Sequence, residues 1–366
     1  MRRQRSPPSV GFEPARLNRT HPMSSTIYSD RLGAISDAQF AAATQRLGLG
    51  KFLSAAPTSA GLFGQNVFVT TDAGQYVLRG APHWVKRPDE DGYHPNDRWQ
   101  FTKEAWFARR LHEETSAPAP WPYLLDDNPD IFGWPYGVMP RMPGECFDEY
   151  TIRKVLGPAD RVAVAAAAGA TLAELQKLTS PFAGDFDVDT VELTADPAGN
   201  VARMVAQTRR LAAAAERQGM MTTGDLGWIE DAVRVASNAG DRPNTFQHTD
   251  YKLNNMTMVR DGSGWRVGGV FDLHTAQFGD GAYDLARMAC AYLDTDRECA
   301  GVFVDAWRAG GGGAVDLSAW MPLYVISDRV IFWQFFSRDG ARPEWSVGKT
   351  FRQWAERYLE RVMGVL

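Results

Sequence analysis

Three side chains that could bind a metal ion and activate a hydroxyl group fall within residues 246–284: Asp250, Asn255 and Asp272. An amide oxygen and a carboxylate held close together make a hard-oxygen site of the kind that Mg²⁺ prefers. The second carboxylate, a few residues upstream, is then free to orient a hydroxyl nucleophile. Phosphoryl transfer needs these parts, because most of its catalysis is positioning and charge neutralisation.

The sequence between these residues predicts a β-hairpin. Alternating apolar residues flank Asp261-Gly262-Ser263-Gly264, which has the composition of a tight turn. Folding the chain about this turn places Asn255 almost opposite Val270, with Asp272 about two residues, on the order of 7 Å, further along. The three side chains are therefore expected to converge at the open end. Each alone is better explained as a solvated strand-end residue, whereas their combined spacing favours a site.

Two motifs in this stretch resemble the aminoglycoside phosphotransferases and their kinase-like relatives. Residues 248–255 (HTDYKLNN) are similar to the family's H-G-D-x-x-x-x-N catalytic loop. Residues 271–286 are similar to its metal-binding Asp segment and the G-D-P-A-Y-D-L-A continuation. The resemblance covers most of residues 50–300. It implies an α+β, two-lobed protein-kinase-like fold, with a small β-rich lobe and a larger, mainly helical lobe.

The resemblance also implies roles for individual residues. Asp250 would accept or orient the proton of the substrate hydroxyl, while Asn255 and Asp272 would hold Mg²⁺. Asp284 would brace the catalytic loop from the following helix. His248 would pack beneath the Asp272 segment without titrating.

Two residues of the loop depart from common patterns. Thr249 stands where the family usually has glycine, so the loop backbone is expected to differ slightly. Lys252 lies two residues after the expected base, as in many protein Ser/Thr kinases. There it either contacts the γ-phosphate and offsets its charge, or is a solvated loop lysine.

A glycine-containing turn lies upstream. Residues 51–80 have the pattern of strands, and residues 62–66 (LFGQN) join two of them. By the resemblance this turn, with Gly64 and Asn66, lies over the ATP phosphates, where Gly61 and Gly64 permit close backbone approach. Taken alone it is a weak motif, neither G-x-G-x-x-G nor Walker A.

A basic residue follows this turn. Arg79 stands where the family commonly has its phosphate-binding lysine, and an arginine can also engage phosphate. Its expected partner is Glu104 on the next helix; the alternative is that both are surface charges. Residues 82–98, polar and proline-containing, are either a lid or a simple loop at the mouth of the cleft.

Residues 136–144 resemble the hinge between kinase lobes, and residues 134–142 resemble the hygromycin B phosphotransferase branch. By the resemblance, adenine bonds hinge backbone groups from Met139 onward. Pro140 has no N–H, so a donor must come from a neighbour such as Arg141 or Met142. The alternative is an ordinary edge strand and turn.

Composition limits the class of protein. The chain has 366 residues, 44% of them hydrophobic and 23% charged, as in a soluble protein of two lobes. No stretch approaches the roughly 18 apolar residues of a spanning helix, and no secretory signal is visible. Three cysteines without a C-x-x-C pair favour a reducing, cytoplasmic setting. The net charge of −5, despite five arginines in residues 1–22, argues against nucleic acid and agrees with a cationic substrate.

We divide the chain into a disordered basic tail (1–22), a nucleotide-binding lobe (23–141) and a catalytic and substrate-binding lobe (142–366). Periodicity and caps predict helices. They are expected at 36–47, 99–111, 160–178, 201–217, 225–239, 285–293, 299–309, 317–336 and 347–362.

The expected activity is transfer of the γ-phosphoryl group of ATP, or of GTP, to a hydroxyl of a small molecule by a monomer or homodimer. An aminoglycoside or related aminocyclitol antibiotic is the leading acceptor. Choline, homoserine or methylthioribose kinases, a non-catalytic binding module and a metal-dependent hydrolase are the alternatives. Acidic residues of the second lobe either meet substrate ammonium groups or are solvated surface: Asp148, Glu149, Asp294, Asp296 and Glu298.

Overall fold

The computed structural model describes residues 25–58, 64–80, 99–148, 150–187, 190, 192–312, 316–337 and 344–366, with only the backbone for 99, 294, 295 and 337. The expectations for residues 1–22, Gly61 and residues 82–98 lie outside these ranges. Among the described residues, no helix combines the length and the apolar character needed to cross a bilayer.

Fourteen strands and nine α-helices form the described part of the chain. The strands are β1 Ser25–Ser29, β2 Gly33–Ser36, β3 Phe52–Pro57, β4 Asn66–Thr71, β5 Gln75–Gly80, β6 Leu124–Asp126, β7 Tyr136–Pro140, β8 Glu145–Cys146, β9 Gly184–Phe186, β10 Leu193–Ala195, β11 Thr245–Gln247, β12 Met256–Asp261, β13 Gly264–Val270 and β14 Gln277–Gly279. The helices are α1 Asp37–Arg46, α2 Trp99–Glu114, α3 Pro158–Leu175, α4 Gly199–Arg217, α5 Thr223–Ala239, α6 Ala282–Thr295, α7 Arg297–Trp307, α8 Met321–Ser337 and α9 Phe351–Met363.

The small lobe is an antiparallel sheet in the order β3-β4-β5-β7-β6, covered by α1. Val67 and Val69 alternate with half-buried residues along β4, as a strand with one core-facing side requires. Phe40 of α1 is fully buried against them and stacks on Phe52, with 5.6 Å between ring centroids. The helix begins after Ser36, whose side chain accepts from the N–H of Gln39 in a capping box.

The large lobe is mainly helical, and its apolar core includes residues of α3 to α9. The predicted helices are all present, with ends that differ from the expected ones by at most four residues. Two small antiparallel sheets complete the lobe, in the orders β10-β9-β14-β11 and β13-β12-β8.

Helix α2 packs against the large lobe and also contacts β6 of the small sheet. Phe107 and Leu111 are fully buried within the large core. Phe107 lies 5.5 Å from Phe246 and 5.6 Å from Phe278, between ring centroids. Glu104, one turn earlier on α2, therefore lies between the core of the large lobe and the small sheet.

Strands β12 and β13 form the expected hairpin, but its register differs by one residue from the prediction. Met256, not Asn255, lies opposite Val270, and the N–H of Phe271 donates to Asn255 O at 3.0 Å. The cause is a bulge: Thr257 pairs with Gly269 and Met258 with Val267, which leaves Gly268 as an extra residue in β13. The shift brings Asp272 closer to Asn255 than predicted.

Candidate active site

The catalytic-loop backbone is held from the first turn of α6. Both oxygens of Asp284 accept hydrogen bonds, from the N–H of His248 at 2.6 Å and of Thr249 at 2.8 Å. Burial raises the pKa of Asp284 to about 7, although these two donors favour the ionised form. Tyr251 adds a second anchor, because its buried hydroxyl donates to Ala168 O of α3 at 2.8 Å.

His248 is fully buried beneath the segment that carries Asp272. Its Nε2 lies 3.0 Å from Phe271 O, and the N–H of Asp250 donates to its Nδ1 at 3.4 Å. The two contacts require a neutral ring with its proton on Nε2. Burial lowers the pKa of His248, which also favours this neutral form.

Asp250 has partners on both carboxylate oxygens. Arg287 Nη2 lies 2.6 Å from Oδ1, and Lys252 Nζ lies 2.7 Å from Oδ2. Asn255 Nδ2 donates to Asp250 O at 2.9 Å and to Oδ2 at 3.1 Å. Burial alone would raise the pKa of Asp250, but Arg287 and Lys252 lower it below its ordinary value. The carboxylate is therefore ionised, fixed in orientation and weakly basic.

Asn255 and Asp272 present the donor atoms predicted for a metal ion. Because Asn255 Nδ2 is bonded to Asp250, its amide oxygen lies on the opposite branch of the side chain. Asp272 has left-handed backbone angles (φ 66°, ψ 48°), and its Oδ1 lies 3.0 Å from His274 Nδ1. Burial would raise the pKa of Asp272, but His274 and Arg79 hold it well below its usual range. An amide oxygen beside an ionised carboxylate fits Mg²⁺.

Arg79 joins the two lobes at this point. Its Nη2 lies 3.0 Å from Glu104 Oε1 and 2.6 Å from Asp272 Oδ1, so the expected partner is in contact. The guanidinium is almost fully buried, with a side-chain exposure of 6%. Tyr123, which the sequence analysis did not single out, fixes Glu104 by donating from its hydroxyl to Oε2 at 2.8 Å.

The residues assigned to phosphate binding lie on one side of the sheet. Asn66 pairs with Arg79 across β4 and β5, so their side chains share a face. Asn66 Oδ1 is buried without a hydrogen-bond partner in the described part of the chain, as a polar atom awaiting a ligand would be. Gly64 has a left-handed backbone (φ 60°), and its carbonyl accepts from Ser29 Oγ.

One of the two backbone donors predicted to bind adenine at the hinge is already used within the sheet. The N–H of Arg141 already donates to Gln75 O at 3.0 Å, which continues the sheet ladder, so it is not the adenine donor. Met142 is the remaining one of the two predicted donors. The guanidinium carbon of Arg141 lies 4.0 Å from the ring centroid of Phe68. Met139, the last residue but one of β7, is buried in the core of the large lobe.

Two of the acidic residues suggested for substrate binding, Asp148 and Asp296, have partners within the protein. Asp148 accepts from the N–H of Tyr150 at 2.8 Å and from Asn254 Nδ2 at 3.2 Å, which places it beside the catalytic loop. Asp296 pairs with Arg161 at 2.9 Å. Glu298 is exposed on α7, whereas Glu149 and the side chain of Asp294 lie outside the described residues.

Sequence reasoning missed Arg287, which contacts Asp250 directly. Arg287 lies three residues after Asp284 on α6, and residues three apart share a helix face. Because the first turn of α6 contacts the loop through Asp284, the side chain of Arg287 on the same face of the helix also points towards the loop. That spacing is the signal that would have found it.

Solved structures with the same architecture have low sequence identity. Aminoglycoside phosphotransferase APH(4)-Ia, a thermostable mutant with ADP and hygromycin B, gives a TM-score of 0.53 at 15% identity over 88% of this chain and 96% of that one. APH(2″)-IIIa with GDP and kanamycin gives 0.54 at 15% identity over 88% and 96%. Choline kinase LicA from Streptococcus pneumoniae gives 0.51 at 14% identity over 88% and 97%. No curated protein matches the chain by sequence.

A β-sheet lobe and a helical lobe that meet at these carboxylates define a kinase-like phosphotransferase that acts on hydroxyl groups of small molecules. The chain belongs to the phosphotransferase enzyme family, whose sequence model matches residues 54–322, well over half of its length. The roles assigned to individual site residues stay predictions.

Proposed function

We propose that this phosphotransferase moves the γ-phosphoryl group of ATP to a hydroxyl of an aminoglycoside or a related aminocyclitol. The observation that carries the proposal is the contact between Asn255 Nδ2 and Asp250 Oδ2 at 3.1 Å, next to the backbone bond between Phe271 and Asn255. These contacts support the proposal, because Asp250 lies next to Asn255, and Asp272 is in turn contacted by Arg79, which also pairs with Glu104.

Asp250 accepts a hydrogen bond from the acceptor hydroxyl and thereby orients the hydroxyl oxygen towards the γ-phosphorus. As the new P–O bond forms, the bond to the bridging oxygen of the nucleotide breaks and the hydroxyl proton passes to Asp250. Since Asp250 is a weak base, its main contribution is orientation, as suits a loose transition state. Asn255 and Asp272 would hold Mg²⁺, which would supply charge neutralisation at the phosphates when bound, and Arg79 and Lys252 would add positive charge.

The choice of acceptor and nucleotide rests on the related structures and on the charge of the chain. The related structures carry hygromycin B or kanamycin, and ADP or GDP, while a choline kinase is as similar in fold. Fold alone does not select an acceptor. The negative net charge of −5 favours a cationic one.

The test is a phosphorylation screen with MgATP and MgGTP against hygromycin B, kanamycin, choline, homoserine and methylthioribose, followed by mass spectrometry of each acceptor. A phosphorylated aminoglycoside supports the proposal, and phosphorylated choline or homoserine would move the activity to a cellular alcohol. Nucleotide binding without turnover on any acceptor would favour a binding module. Release of phosphate from the nucleotide at the same rate with and without an acceptor would favour a hydrolase.

Asp250→Ala is the matched inactive variant for this screen. We expect transfer to fall by about 10³-fold, within the range for loss of a general base, while ATP affinity changes little because Asp250 faces the acceptor. Isothermal titration with ATP checks the second half. Transfer close to that of the unaltered chain would remove Asp250 from the mechanism.

A further inference from the structure

A second network of buried charges lies behind Asp250, on the side away from Lys252. Arg287 Nη2 contacts Asp250 Oδ1 at 2.6 Å, and Arg287 Nη1 contacts Asp328 Oδ1 of α8 at 3.3 Å. Arg329 pairs with the other oxygen of Asp328. The guanidinium carbons of Arg287 and Arg329 lie 4.5 Å and 4.4 Å from the ring centroid of Phe332.

Arg287 is buried and forms an ion pair with a carboxylate on each side. Its side chain is 10% exposed and Asp328 is 2% exposed. Removing ions from water costs several kcal/mol each, and apolar replacements of buried ion pairs are often neutral or stabilising. The network is therefore not explained by stability alone, and among its four charged residues Asp250 has the most exposed side chain, at 30%.

The two oxygens of Asp250 differ in how their partners are held. Oδ2 accepts from Asn255 Nδ2 at 3.1 Å and is also contacted by Lys252, whose side chain is 29% exposed and has a flexible stem, so Lys252 can move away. Arg287, on Oδ1, is held by Asp328 and stacked on Phe332. An incoming hydroxyl group can therefore take the place of Lys252 on Oδ2 but not that of Arg287 on Oδ1.

We propose that Arg287, anchored by Asp328, is a positioning residue that immobilises Oδ1 of Asp250 and thereby presents Oδ2 as the only face for the acceptor hydroxyl. The inference rests on the proposed function of Asp250. In this arrangement, α6 and α8 take a direct part in orienting the acceptor. Lys252, which the bound acceptor displaces from Oδ2, is then free to approach the transferred phosphoryl group.

The test compares Arg287→Met, Arg287→Lys and Arg161→Met with the unaltered chain, using MgATP and whichever of hygromycin B, kanamycin or choline is phosphorylated. Arg161→Met is the matched control, because Arg161 and Asp296 form a similarly buried pair in the same lobe, with side-chain exposures of 13% and 16%. We expect kcat to fall about 10²-fold in Arg287→Met, since misplacing a reacting group has effects of that size. KM for ATP should change less than about twofold, and Arg161→Met should keep its kcat.

Arg287→Lys keeps the charge and tests the guanidinium fork if the methionine variant does not fold. Arg287 uses two separate nitrogens for Asp250 and Asp328, whereas a lysine has only one nitrogen on a flexible stem and would hold the two carboxylates less rigidly, so we expect an intermediate loss of roughly tenfold in kcat. A kcat unchanged in Arg287→Lys, or lowered less than about threefold in folded Arg287→Met, would overturn the inference. An equal loss in Arg161→Met would also overturn it.

A double-mutant cycle separates positioning from a general effect on the lobe. If Arg287 acts through Asp250, adding Arg287→Met to Asp250→Asn lowers kcat no further. Additive losses would overturn the inference while leaving the proposed function in place.

If Asp250→Ala keeps full transfer, or the unaltered chain phosphorylates no acceptor, the proposed function fails first. Crystal structures with Mg²⁺ and AMP-PNP then decide: a shift of about 1 Å or more in the Asp250 carboxylate of Arg287→Met supports positioning, and an unmoved carboxylate overturns it.

Discussion

Thr249 and Asp272 both have left-handed backbone angles, with φ of 68° and 66°. For a β-branched residue this conformation costs about 1–2 kcal/mol, which is why glycine suits the position. The structure offsets the cost locally, because the N–H of Thr249 is bonded to Asp284 and its Oγ1 donates to Thr275 O at 3.1 Å. Strain of this kind, fixed by surrounding contacts, is typical of functional loops. The same conformation occurs at Asp272, the proposed metal ligand, whose carboxylate contacts Arg79 at 2.6 Å.

Asp272→Ala tests the metal site at the same scale. Loss of this ionised carboxylate should weaken binding of the Mg²⁺–nucleotide complex by at least about tenfold, a conservative figure for a metal ligand. Titration calorimetry with ATP in the presence of Mg²⁺ measures the effect, and ATP in the presence of EDTA is the control that should change little. Equal Mg²⁺–ATP affinity in both proteins would exclude Asp272 as a ligand.

At the scale of elements, α6 holds the catalytic loop through one carboxylate. Asp284→Ala leaves the N–H groups of His248 and Thr249 buried without acceptors, which should destabilise the fold by about 2–4 kcal/mol. Asp225→Ala is the matched control, because buried Asp225 accepts from the N–H groups of Thr222 and Arg352 far from the loop. Both variants should unfold at lower denaturant, but only Asp284→Ala should lower kcat at temperatures where it is folded. Equal kcat in the two would show that the brace is dispensable.

The hinge and the hairpin meet at a glycine pair in β13. A Cβ at Gly268 would lie 2.2 Å from Pro143 O, whereas a Cβ at Gly262, in the turn of the same hairpin, has nothing within 4 Å. Gly268→Ala should therefore destabilise the protein by about 1–3 kcal/mol and weaken ATP binding by displacing the hinge. Gly262→Ala should be neutral, and thermal melts with ATP titrations compare them. Identical behaviour of the two variants would rule out hinge contact as the reason for Gly268.

Local signals account for what the sequence predicted well. The turn at 261–264 and the alternation beside it indicated the hairpin, and apolar periodicity with caps indicated the helices. The bulge at Gly268 was not predictable, because a Gly-Gly pair permits a bulge without requiring one. Strands of two or three residues, such as β8 and β14, are too short to show a pattern. The pairing of Arg287 with Asp250 and the use of the Arg141 N–H by Gln75 depend on packing between segments far apart in sequence.

Over the whole molecule, the two lobes meet through charges as well as through the hinge. Asp272 follows the hairpin of the large lobe, while Arg79 belongs to the small sheet and Glu104 on α2 is bonded to Tyr123 beside that sheet. Any opening of the cleft about residues 141–144 must therefore separate Arg79 from Asp272. Because Arg79 is nearly fully buried, at 6% side-chain exposure, this separation is unfavourable without a replacement ligand.

Arg79→Met tests this link between the lobes. Removing one partner of a buried ion pair typically costs about 3–5 kcal/mol, and it leaves Glu104 facing Asp272, so the sheet should move more freely relative to the large lobe. Hydrogen exchange of β4 and β5 amides should then speed up in the absence of nucleotide. Arg46→Met is the matched control, since Arg46 pairs with Asp130 at 2.6 Å on the exposed surface of the small lobe alone. Unchanged exchange in Arg79→Met would mean that the hinge and α2, not the ion pair, hold the cleft closed.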